Sequence, residues 1–229
     1  MEEPSRPLRI YFAGDLFDSK DLGGNLLLAD AIDRCSNGKY QVMLPQNGEC
    51  EVKERTSQSI RDADFELLFT CDVIVANFDG TDLDSGTVVE FCFAKMLDMP
   101  AVLLRTDFRD GGDRTLPDGS PWNLMCSHYP RTENLHLNGM ELYHRCKAQT
   151  TGTAELLTGY YNSIAEKIVR ALDRVTAEPP WLEEHRLMEQ YKATVRSIGG
   201  TLAKLLPKAR LREIIDRKIA NGIYRKKTV

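Results

Sequence analysis

Four short apolar runs, spaced by longer stretches of helical periodicity, constrain the fold of this chain more than any other feature. They are "LRIYFA" at residues 8–13, "YQVMLP" at 40–45, "CDVIVANF" at 71–78 and "MPAVLLR" at 99–105. The third, rich in β-branched residues, has the character of a strand covered on both faces. Between the runs lie "GGNLLLADAIDRC" and "TSQSIRDADFELLFT", the latter with Ile60, Ala63, Leu67 and Leu68 at helical spacing and Asp62 and Asp64 near one side. Strand and helix alternating at this rhythm predict an α/β fold, a parallel sheet with right-handed crossovers. Ligands of such sheets sit beyond the strand C-termini. Gly14, Gln46, the loop from Asp79 to Ser85 and Asp107 each follow a predicted strand and are expected along one edge.

The rest of the chain divides by composition. Residues 109–153 read as irregular and Gly-rich, and a long loop in a compact domain is often functional. An amphipathic helix is predicted over "AELLTGYYNSIAEKIVRALDRV", and "EPPW" then breaks the chain. Two helical stretches follow, Trp181–Ile198 and Leu202–Ile219. The expected organisation is therefore an α/β domain over 1–178 and a basic helical extension over 179–229, where twelve Lys or Arg stand against five Asp or Glu. Sparse aromatic interleaving disfavours nucleic acid as a partner, and packing on the core or on a neighbouring subunit is the better reading.

Composition excludes several classes. The formal net charge is only −4, and no apolar run approaches the roughly 20 residues that span a bilayer. The N-terminus lacks a basic stretch followed by a long apolar one, so a cytoplasmic location without membrane contact is expected. Six cysteines are scattered without CxxC spacing and read as free thiols, Cys71 and Cys92 in runs that look buried. No histidine pair has ligand spacing, so no metal is expected. The phosphate loop GxxxxGK[ST], a GxGxxG turn after the first strand and a GxSxG elbow are all missing from the sequence, and no cofactor is expected.

What remains is an acidic cluster. "DGTDLDSGTVVEFCFAK" carries Asp79, Asp82, Asp84 and Glu90 around a Gly-Thr turn. A Glu three residues after Thr87 is ordinarily half of a capping box. If Asp64 and the loop after the third strand meet at one sheet edge, however, Asp64, Asp84 and Glu90 crowd together, and crowding splits carboxyls into an acid and a base. Two carboxyls about 5 Å apart are what double displacement at an anomeric carbon requires.

Three segments, "RIYFAGDLF", "RDADFELLFTCDVIVANFDGTDLDSGTVVEFCFA" and "PWNLMCS", resemble the signature segments of the nucleoside 2-deoxyribosyltransferases over roughly residues 8–130. The resemblance implies a flavodoxin-like, doubly wound three-layer fold and transfer of 2-deoxyribose between nucleobases. It implies Glu90 as the nucleophile at C1′ and Asp64 as the proton donor to the departing base and acceptor from the incoming one. Asp84 would bind sugar hydroxyls, notably the 5′-OH, and its carboxylate would repel a 5′-phosphate. Asn123 would complete a neighbouring subunit's site, making the protein a homo-oligomer. Tyr11, Phe12, Gly14 and Gln46 are wall and base contacts by position, with Tyr11 able to orient Glu90. The partners implied are a deoxyribonucleoside and a free nucleobase. An alternative keeps the site but lets water accept the sugar, giving an N-glycoside hydrolase of nucleosides or nucleoside monophosphates; a nucleoside-binding protein without catalysis is a third reading.

Overall fold

A computed structural model of the chain describes residues 6–48, 55–109, 117 and 119–225. Strand β1 (Leu8–Ala13) leads into helix α1 (Ser19–Cys35), started by Asp18, whose carboxylate accepts the Lys20 and Asp21 N–H groups. Then come β2 (Tyr40–Met43), the single turn α2 (Pro45–Gly48), α3 (Ser57–Thr70) and β3 (Val73–Asn77). They are followed by α4 (Ser85–Met96), β4 (Ala101–Arg105), β5 (Thr132–His136), α5 (Gly139–Lys147) and α6 (Thr153–Ala177). Helices α7 (Leu187–Ile198), α8 (Leu202–Leu205) and α9 (Lys208–Ala220) close the chain.

The five strands form one parallel sheet in the order β2-β1-β3-β4-β5, which is the flavodoxin-like doubly wound topology. Helices cover both sides: α1 packs against α6 on one, α3 and α4 lie together on the other. The central strands carry the core, with Ile74, Val75, Ala76 and Ala101 through Leu104 fully buried. In register, Tyr11 pairs with Ile74 and Ala13 with Ala76, so the ends of β1 and β3 reach the same edge together.

Three local expectations are corrected. Residues 131–153 are not irregular: they hold β5 and α5, the latter capped by the Asn138 side chain on the Glu141 N–H. Strand β5 lies at the sheet's end and its sequence, "TENLH", is mostly polar, so it has no apolar run to announce it. Helix α3 turns Phe65, Leu68 and Phe69 to the core together with Asp62, while Ile60, Ala63 and Leu67 are only partly buried. Cys92 is likewise partly buried, whereas Cys71 and Cys126 are enclosed; all five cysteines among the described residues are free.

The C-terminal segment shares the apolar core rather than standing off it. Leu187, Tyr191, Leu202, Leu206 and Leu211 belong to the same buried cluster as the sheet. Tyr191 meets Phe69 edge-on at 5.6 Å, and the Tyr224 hydroxyl donates to the Leu97 carbonyl at 2.7 Å. Arg131, 2% exposed, ties the two parts together by donating to the Asp98 and Ile223 carbonyls, each at 2.8 Å. Among the described residues, no helix is long and apolar enough to cross a membrane.

Candidate active site

The C-terminal edge of the sheet is built to hold a loop still. Arg105, at the end of β4 and 3% exposed, donates to the carbonyls of Phe78 at 2.7 Å and Gly80 at 2.9 Å. Asp79 answers from the other side, accepting the N–H groups of Thr106 at 2.5 Å and Asp107 at 2.7 Å and the Thr106 hydroxyl at 2.7 Å. The acidic loop after β3 is thereby fixed to the one after β4. Asp107 is itself paired with Arg109, which holds its carboxyl down at about 2. Arg109 is thus a structural partner of Asp107.

Asp84 rather than Glu90 caps α4. Its Oδ2 accepts the Thr87 N–H at 2.7 Å and the Thr87 hydroxyl at 2.9 Å, so the helix begins at Ser85 and the expected Thr87–Glu90 box does not form. A carboxylate at the N-cap is a strong acceptor placed against the positive end of the helix, which explains why it wins. Asp84 Oδ1 takes part in neither bond. Freed from capping, Glu90 sits in the second turn and faces β1, where the buried Tyr11 hydroxyl donates to its Oε1 at 2.5 Å. Tyr11 is therefore a partner of Glu90.

The electrostatics of Glu90 follow from this position. Burial pushes its carboxyl up to about 7; the Tyr11 hydrogen bond opposes that rise, and the nearby carboxylates of Asp64 and Asp84 add to it. Tyr11 is raised well above its ordinary value by burial, then by Glu90 and Asp64. Asp64, from α3, Asp84 and Glu90, from the loop and helix after β3, and Tyr11, from β1, thus share one electrostatic neighbourhood. A carboxyl pushed up by burial and by neighbouring carboxylates, as Glu90 is, is a signature of functional sites.

The remaining expected site residues take varied places. Gly14 lets the chain after β1 approach β3, since a Cβ there would stand 3.3 Å from Asn77 Cβ. Phe12 is 1% exposed and packs in the core directly behind Gly14. The Gln46 amide is tied to α1, donating to the Leu22 carbonyl at 3.2 Å. Asn123 opens a short 3-10 turn, accepting the Met125 N–H at 2.9 Å, and borders a cleft with Thr81, Asp82, Ser85 and Trp122. Within one chain it borders the acidic loop, and no hydrogen bond among the described residues brings it to Glu90.

One residue escaped the sequence reading. Asp15, immediately after Gly14, has its carboxyl raised by burial and then by Asp84, Asp21, Asp79 and Asp18. Its Oδ1 is enclosed and has no hydrogen-bond partner among the described residues. The only signal for it was an acidic residue directly beyond a strand-ending glycine. It borders a cavity of about 260 Å³ between α1 and α6, lined also by Asn25, Asn77, Asp79 and Tyr160.

Fold and site together define an α/β protein of the doubly wound type whose strand C-termini present a half-buried carboxylate cluster. The chain belongs to the nucleoside 2-deoxyribosyltransferase family, whose model matches residues 10–125. Among solved structures it is similar to a conserved protein from Enterococcus faecalis V583, at 23% identity over 73% of this chain and 98% of that one, with a TM-score of 0.45. It is similar also to the 2-desoxiribosyltransferase from Leishmania mexicana, at 21% identity over 53% of this chain and 87% of that one, TM-score 0.43. For the 2-deoxyribosyltransferase from Bacillus psychrosaccharolyticus the identity is 18%, over 65% of this chain and 95% of that one, TM-score 0.42. No match was found among curated proteins.

Proposed function

We propose that the protein transfers 2-deoxyribose from one nucleobase to another by double displacement through Glu90. The carrying observation is the half-buried Glu90 carboxylate, its Oε1 held by Tyr11 and its charge raised in energy by burial beside Asp64 and Asp84. In the first step a Glu90 oxygen attacks C1′, the N-glycosidic bond breaks, and its electron pair leaves with the base, which takes a proton from Asp64. A deoxyribosyl ester of Glu90 results. In the second step a nitrogen of the incoming base attacks C1′, gives its proton to Asp64, and restores the Glu90 carboxylate. Both transition states carry oxocarbenium-like positive charge, which a carboxylate beneath C1′ stabilises most where water is excluded.

The acidic neighbourhood supports an unphosphorylated substrate. Asp84, with Asp15 beside it, places negative charge where a 5′-phosphate would have to sit if Asp84 receives the 5′-hydroxyl. A 2′-hydroxyl lies next to the attacked carbon, so ribonucleosides should react poorly. Asn123 serves a neighbouring subunit in this reading, and its surroundings suit an interface: Leu124 is 50% and Met125 70% exposed.

Chromatography of the protein incubated with 2′-deoxyinosine plus adenine, and with thymidine plus adenine, tests the reading. New 2′-deoxyadenosine, absent with Glu90→Ala, is the expected result. Free hypoxanthine or thymine without deoxyadenosine would assign the protein to hydrolysis, and no turnover would return it to the binding class.

A further inference from the structure

Residues 199–205 lie outside the part of the chain that matches the family, yet they close on the helix that carries Asp64. After α7 the backbone reverses through Gly199 and Gly200, at φ +72° and +62°, a region that favours glycine. The turn delivers Thr201 to Asp62, whose Oδ2 accepts the Thr201 N–H at 2.6 Å and the Thr201 hydroxyl at 2.7 Å. Arg61 holds the other oxygen, donating from Nε at 3.0 Å and from its terminal nitrogen at 2.6 Å. Asp62 is 0% exposed. Burial alone would raise its carboxyl, but these bonds keep it below its ordinary value, so it stays charged inside the protein. The fit is tight: a Cβ on Gly200 would fall 2.5 Å from Asp62 Oδ2.

Apolar packing of Phe65, Leu68 and Phe69 holds α3 to the core but is non-directional, and leaves the helix freedom to rotate and slide by fractions of an ångström. A buried carboxylate with directional bonds on both oxygens removes that freedom. Asp62 lies two residues before Asp64 in the same helix. Thr201 and Leu205 also face Asp64 across a cavity of about 490 Å³ lined by Ser59, Ala63 and Leu67.

We infer that Thr201 is a positioning residue for deoxyribosyl transfer: by gripping Asp62 it sets the point at which the Asp64 carboxyl meets the leaving base. The inference rests on the reading of Asp64 as the proton donor. A displacement of about 1 Å at a reacting group costs on the order of 100-fold in rate. The loss should appear only where the base needs a proton to leave.

Donor pairs that differ in that need provide the test. 2′-Deoxyguanosine requires protonation, whereas 7-methyl-2′-deoxyguanosine already carries the positive charge; thymidine and 5-fluoro-2′-deoxyuridine form a milder pair. Read as base release in a single turnover with no acceptor base added, so that proton return to Asp64 does not enter, Thr201→Val should lower the rate about 10- to 100-fold on the first member of each pair and no more than about 3-fold on the second. Thr201→Ser, which restores the hydroxyl, should recover most of the loss. Asp62→Asn, nearly isosteric, should show the same donor selectivity and serves where Thr201→Val does not fold. Equal losses on both members of a pair would make the contact merely structural and overturn the inference, as would an unchanged rate of base release. Asp64→Ala separates the two levels: selective loss there without selective loss in Thr201→Val sinks only the positioning role, whereas no selectivity in Asp64→Ala removes the proton-donor reading and the inference with it.

Discussion

The Tyr11–Glu90 contact fixes the pH behaviour expected of the site. Glu90 must be ionised to attack, and burial holds it at about 7, so kcat/KM should climb with pH through that value, and should fall again on the alkaline side where Asp64 loses the proton it gives to the leaving base. Because the Tyr11 hydrogen bond opposes the rise, Tyr11→Phe should move this acidic limb to higher pH and lower kcat by about 10- to 100-fold, which a pH–rate profile reads directly. The same shift has a stability consequence. The folded value lies above the ordinary 4.5, so the protonated carboxyl's contribution is complete below pH 4.5 and is lost as pH rises through 7. Glu90→Gln should therefore unfold at a higher denaturant midpoint than the parent at pH 8, by on the order of 1–3 kcal/mol. Asp15→Asn, relieving repulsion from Asp84 and its neighbours, should raise the melting temperature at pH 8 but not at pH 3, where the carboxyl is protonated in both states. At this scale the sequence allowed Asp64, Asp84 and Glu90 to meet if α3 and the β3 loop reached one sheet edge, and their roles came only from the resemblance; the structure supplies the meeting. Asp15 was not legible, since beside its near neighbours Asp18 and Asp21 its environment is completed by Asp79 and Asp84 of the β3 loop, which are remote in sequence.

Among the elements, the sequence announced those whose apolar pattern is strong. Strands β1 to β4 and helices α1, α3 and α6 were readable from periodicity, while β5 and α5 were hidden by polar composition and are recognised only by where they pack. The capping of α4 shows a local rule losing to a better competitor: Thr87 and Glu90 have box spacing, but Asp84 reaches the Thr87 N–H first. Helix α9 packs on the core, as its amphipathic pattern suggested, and carries one of its charges inside. Its Lys218 is 0% exposed, with the amine pushed down to about 8 by burial, and it stands near Asp72, which also pairs with Arg217 at 3.5 Å and accepts the Arg9 N–H at 2.9 Å. Removing one side of a buried charge group leaves the other uncompensated. Asp72→Ala should cost about 3–5 kcal/mol in denaturant unfolding, whereas Arg210→Ala, at an exposed pair with Glu213, should cost less than about 0.5.

For the whole molecule, the parallel order β2-β1-β3-β4-β5 brings Tyr11 and the β3 loop to one edge, and the C-terminal helices hold the opposite flank of α3. The sequence foretold the first arrangement from its strand rhythm. It could not foretell the second, because the Gly199-Gly200-Thr201 turn meets Asp62 across 139 residues. Assembly belongs to this scale as well: Met125→Asp, placing a charge on the exposed face beside Asn123, should lower the mass seen by analytical ultracentrifugation and reduce kcat about 10-fold or more, as expected when subunits complete one another's sites. The ester at Glu90 is tested by mass spectrometry after incubation with a 2′-fluoro-2′-deoxyarabinonucleoside. The electronegative fluorine disfavours the oxocarbenium-like transition state and, with no acceptor base added, slows release of the sugar from the enzyme. One 2-deoxy-2-fluoroarabinosyl group is expected on the peptide containing Glu90, removed by adding free nucleobase with formation of a new nucleoside. A sugar attached elsewhere, or base released catalytically by a Glu90→Ala variant, would contradict it.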